Sequence, residues 1–80
     1  MGRLYRLTKP LMEDDAKRIL DELFDLENVE FAEFTDDFGA VVIFTKDGEY
    51  TQVMDRAVNI FSRDASCELS FEQFVVKDAE

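Results

Sequence analysis

In "RLYRLT", residues 3–8, apolar and polar positions alternate, which predicts a strand, and Pro10 closes it because proline cannot donate to a sheet ladder. The period then changes. Over 13–26, "EDDAKRILDELFDL", Ala16, Ile19, Leu20, Leu23 and Phe24 recur at spacings of three and four, with Lys17, Arg18, Asp21, Glu22 and Asp25 on the other side. This predicts an amphipathic helix. It opens on Glu13, Asp14 and Asp15, where carboxylates favour the exposed N–H groups and the positive end of the helix dipole. "ENVEFAEFTDD" alternates again, with Ala32 and Phe34 on one face and Phe31 and Glu33 on the other, before Asp36-Asp37-Phe38-Gly39 supplies a turn. "AVVIFT", 40–45, is a run of apolar, mostly β-branched residues and predicts a central strand covered on both faces. After Asp47-Gly48, "EYTQVMDRAVNIF" places Tyr50, Val53, Met54, Ala57, Ile60 and Phe61 at helical spacing, with Asp47 or Thr45 as the expected cap. In "SCELSFEQFVV", Cys67, Leu69 and Phe71 alternate with Glu68, Ser70 and Glu72 until the phase slips at Gln73-Phe74, as a bulge would make it do.

The order βαββαβ predicts a ferredoxin-like α+β sandwich. Right-handed crossovers then put both helices on one face of a four-stranded antiparallel sheet, with the first and third strands in the middle. If Val41 and Ile43 face the helices, Val42 and Phe44 face the open side with Phe31 beside them. Together with Tyr5 they form the candidate interaction surface, a larger apolar patch than scattered exposure would give. Eighty residues, 46% of them hydrophobic, predict one domain over 1–80 with an ordered core over about 3–76.

Charge removes several classes of partner. A net charge of -10 repels phosphate backbones and anionic bilayers, and the basic residues form no stripe, so neither nucleic acid nor a membrane surface is expected to bind. No apolar run approaches the roughly 18 residues of a span, and the start of the chain lacks a signal peptide's apolar segment. Cys67 is the single cysteine; it has no internal disulfide partner, which fits a reducing compartment, and a cytoplasmic location is expected. There is no histidine, and no base is visible to activate Cys67, which reads as a small core residue. A catalytic role is not expected, and no cofactor is.

"LDELFDLENVEFAEF" resembles the end of the first helix and the start of the second strand in heavy-metal-associated domains, the copper- and zinc-carrying modules of metallochaperones and metal-transporting P-type ATPases. Leu26, Asn28, Val29, Ala32 and Phe34 occupy the places of that family's L-x-G-V-x-x-A-x-V phrase, and Ile19 and Leu23 match its inward helix positions. The family's M-x-C-x-x-C loop then falls on residues 10–15, so that Met12 and Asp15 stand where two thiolates belong. "SRDAS" also replaces the family's Gly-aromatic pair after the second helix. A soft metal needs paired thiolates, and a thioether with a carboxylate does not replace them. Met12 is expected to pack against the helix start instead. The three acids are consecutive and diverge around a helix, without the spacing of a hard-cation loop.

The resemblance implies a degenerate, non-catalytic regulatory or interaction module, of the kind found at the cytoplasmic N-terminus of a cation-transporting P-type ATPase, with soft-metal binding lost. It would dock a protein partner, or itself as a weak homodimer, through the open sheet face. The alternatives are an ACT-like amino-acid-sensing domain and a homodimerising ferredoxin-like domain.

Overall fold

A computed structural model describes residues 2–76. Its elements are β1 (Gly2–Leu7), α1 (Glu13–Phe24), β2 (Val29–Phe34), β3 (Ala40–Thr45), α2 (Thr51–Ala65) and β4 (Leu69–Val75). The strands form one antiparallel sheet in the order β2-β3-β1-β4, the ferredoxin-like arrangement. Both helices pack on the side carrying Tyr5, Leu7, Val41 and Ile43, and Ile19, Leu23, Val53, Ala57 and Phe61 complete the core. Phe61 is fully buried, with its ring 6.0 Å from that of Phe34. Burying a side chain of this size contributes about 1.5–3 kcal/mol.

The element ends differ from the sequence expectation for local reasons. α1 stops at Phe24 rather than at 26, because the Leu26 N–H bonds the carbonyl of Leu23 and the Leu26 carbonyl accepts from Val29, turning the chain into β2. α2 runs a full turn beyond 61. Ser66 ends it in the left-handed region at φ 51°, where its N–H bonds Ser62 and the N–H of Cys67 bonds Phe61, closing the last turn. Neither expected cap of α2 acts as one. The carboxylate of Asp47 instead accepts from the N–H of Glu49 (2.9 Å) and the amide of Asn28 (2.6 Å), which fixes the β3–α2 turn. Gly48 within that turn sits at φ 80°, a conformation that favours glycine. Thr45 lies in β3 with its hydroxyl buried.

The phase slip in β4 is a bulge. Tyr5 pairs with Phe71 and Leu4 with Gln73, so Glu72 is the extra residue. Residues three apart on a regular strand point to opposite faces. The bulge puts Phe71 and Phe74 on one side, the helix side, opposite Tyr5 and Arg3 respectively.

Candidate binding surfaces

The β1–α1 loop is tied down by main-chain bonds. The Leu11 N–H bonds the carbonyl of Phe38, and the Leu7 N–H that of Gly39, so the loop leans on the β2–β3 hairpin with the Leu11 side chain buried beneath it. That hairpin is itself closed by Asp37, whose carboxylate accepts from the N–H of Gly39 and the hydroxyl of Thr35; these bonds hold its carboxyl below the usual range. Met12, expected to pack on the helix start, is instead 74% exposed, since it is the N-cap residue and points off the end of α1. Asp15 is paired with Arg18 one turn on, at 2.7 Å. No side chain caps α1, so Glu13 and Asp14 favour its start through the helix field. Cys67 approaches this end of the domain but is buried, its sulfur 3.5 Å from the hydroxyl of Thr8 and 3.8 Å from the carbonyl of Lys9. Among the described residues no group of three or more His, Cys, Asp or Glu is arranged to hold a metal ion.

On the open sheet face, Phe31, Val42 and Phe44 do lie together. The Phe31 and Phe44 rings are 6.3 Å apart, and Phe24 reaches round the β2 edge to within 6.4 Å of Phe31. Two of the four candidate residues need correction. Tyr5 does not share this face: it pairs with Val41, lies on the helix side and is buried, and that burial raises its phenol pKa. Phe44 does face the open side but is only 8% exposed, because its ring lies flat across Gly2, where a Cβ would come within 2.7 Å of it. Glycine at position 2 thus lets Phe44 cover itself, and of the four only Phe31 is strongly exposed, at 41%.

A second apolar surface, not anticipated from the sequence, lies on the helix side of β4. Phe71 and Phe74 are 49% and 57% exposed, with their rings 5.0 Å apart, and Phe71 meets the edge of Tyr5 at 5.9 Å. The guanidinium of Arg3 stands among them, 4.4 Å from the centre of the Tyr50 ring, 5.6 Å from Phe74 and 5.8 Å from Phe71. Tyr50 is held by donating its hydroxyl to the carbonyl of Ile43 at 3.1 Å. Among the described residues no carboxylate lies within ion-pair distance of Arg3, whereas Arg6, Arg18 and Arg63 are each paired with an acid. The signal for this surface was the phase slip itself: a bulge between Phe71 and Phe74 brings both onto one face.

At the opposite end of the sheet from the β1–α1 loop, an open cleft of about 720 Å³ is lined by Asp25, Glu27, Lys46, Asp47, Gln52 and Arg56. Its acids and bases are interleaved, so no single charge is selected. No helix in the described residues is long and apolar enough to cross a membrane. No protein-family model matches the chain, and no curated protein matches its sequence.

Proposed function

We propose that this ferredoxin-like domain is a non-catalytic protein-binding module, a degenerate relative of heavy-metal-associated domains that has lost soft-metal binding and serves a regulatory role, as at the cytoplasmic N-terminus of a cation-transporting P-type ATPase. The observation that supports it best is the placement of large aromatic side chains in solvent beside a complete core: Phe71 and Phe74 on β4, and Phe31 on the open face. Keeping such rings in water forgoes about 1.5–3 kcal/mol of burial each, which docking recovers. At the loop where the resemblance puts two thiolates, Met12 extends into solvent and Asp15 is committed to Arg18.

Two measurements test this reading. Native mass spectrometry and thermal melts with Cu(I) or Zn²⁺ should give no stoichiometric complex and an unchanged melting temperature; an equimolar complex that melts higher overturns the lost-site claim. Selection from a random-peptide display library should enrich peptides that bind the folded domain, and a library that yields no enriched binder overturns the binding-module claim.

A further inference from the structure

We propose that the outer edge of β4 takes up an extended segment of a protein partner as a fifth strand, one that sets apolar side chains on Phe71 and Phe74 and a carboxylate against Arg3. This rests on the binding-module reading and names the surface and the chemistry of its partner.

The sheet has two edges, and they are built differently. β2 carries Glu30 and Glu33 on its outer strand and the Phe31 ring is engaged with Phe24 and Phe44, the charged, irregular kind of edge that resists pairing. β4 is longer, at seven residues, and is exposed along most of its length. It has no lysine or proline, and its one carboxylate, Glu72, is bound by Arg6 of the neighbouring strand on the open side. A strand of this kind presents unpaired main-chain donors and acceptors beside an apolar surface, which is what strand addition uses.

Charge then selects the partner. At physiological ionic strength the screening length is about 8 Å, so acids at the far end of the domain contribute little at this edge despite the net charge of -10. On β4 and the neighbouring β1 the charges are the mutually paired Arg6 and Glu72 on the open side and Arg3 on the helix side, which has aromatic rings around it and, among the described residues, no carboxylate within ion-pair distance. A carboxylate on the incoming strand completes that site. The β4 strand of a second copy offers none: its one carboxylate is the Glu72 already held by Arg6, on the other face.

The test uses the binders from the display selection, mapped by amide NMR shifts and hydrogen exchange. The expected binders alternate apolar residues with at least one Asp or Glu, and shift the amides of Leu69–Val75. N-methylation of alternate peptide amides abolishes their binding. Phe74→Glu and Gln73→Pro each weaken it by about tenfold or more, which is 1.4 kcal/mol. Arg3→Glu, checked for folding by circular dichroism, turns the selection toward lysine-bearing peptides; Arg3→Gln removes the acid preference and serves if the charge reversal fails to fold. Binders that map to Phe31 and Val42 overturn this inference and keep the module reading, whereas the absence of any binder overturns both. A concentration-dependent dimer that protects the same amides, seen by light scattering and exchange, replaces the partner strand by a second copy and also overturns it.

Discussion

The hydroxyl of Thr45 lies on the helix side of β3, buried and without a hydrogen-bond partner among the described residues. An unmatched buried hydroxyl costs about 1–3 kcal/mol, and valine fills the same volume without it. Thr45→Val is therefore expected to stabilise the domain by about 1 kcal/mol, read as a rise of about 4–8 °C in the melting temperature; a fall would show that the hydroxyl has a partner in solution. Phe61 is the opposite case, a fully buried ring. Phe61→Ala should cost about 3–5 kcal/mol, enough to leave a domain of this size largely unfolded by denaturant melts. At this scale the sequence was legible wherever burial follows periodicity: Phe61, Ile43 and Cys67 are all deep in the core. It misled for Tyr5 and Phe44. Which face Tyr5 takes depends on its register with Val41, and the burial of Phe44 depends on a glycine on the neighbouring strand.

Among the elements, the turns carry the acid sensitivity. Asp37 is held below its ordinary value of 3.8 by the Gly39 N–H and the Thr35 hydroxyl, Asp47 likewise by the Asn28 amide and the Glu49 N–H, and Glu72 is held below 4.5 by Arg6. A carboxyl whose folded pKa is depressed contributes stability that is present above its unfolded pKa and is lost as pH falls through the folded value. The α1–α2 contact works the other way. Glu22 is raised above 4.5, first by the neighbouring Asp64 carboxyl, even though Arg63 bridges both acids, so its contribution is present below 4.5 and is lost as pH rises through its raised value. Asp64, beside Glu22, is itself held below 3.8, first by Arg63, so four depressed carboxyls oppose one raised one, and the melting temperature should drop from about pH 5 downward. The combined Asp37→Asn and Asp47→Asn variant should show a shallower drop in melts across the acid range; an unchanged slope would remove the turns as its source. Asp36-Asp37 and Asp47-Gly48 were readable from sequence as turns. That Asp47 reaches across to Asn28, before β2, was not, since the two are joined only by the fold.

For the whole molecule the governing quantity is its charge. Nineteen acids against nine bases leave a net charge of -10 on a small domain, and like charges on a compact surface repel. Added sodium chloride screens that repulsion, so the melting temperature should rise between low salt and about 0.5 M, where the screening length falls well below the roughly 10 Å of 0.1 M. A melting temperature that fell with salt would mean that the exposed pairs of Arg6, Arg18 and Arg63 outweigh the repulsion, against their usual contribution of about 0–1 kcal/mol each.

By itself the sequence determined the order of elements, the periodicity of their buried faces and the ferredoxin-like topology, because local propensity and alternation act within a few residues along the chain. It also determined where the turns at Asp36-Asp37 and Asp47-Gly48 fall. The tertiary structure decided which aromatic rings stay in solvent. One extra residue at Glu72 moves Phe74 to the side of Phe71, a glycine opposite Phe44 lets that ring lie down, and β4 falls at the edge of the sheet with Arg3 beside it. Each of these depends on which strand lies next to which and in what register, and pairing between residues distant in sequence is set by the packing of the whole sheet.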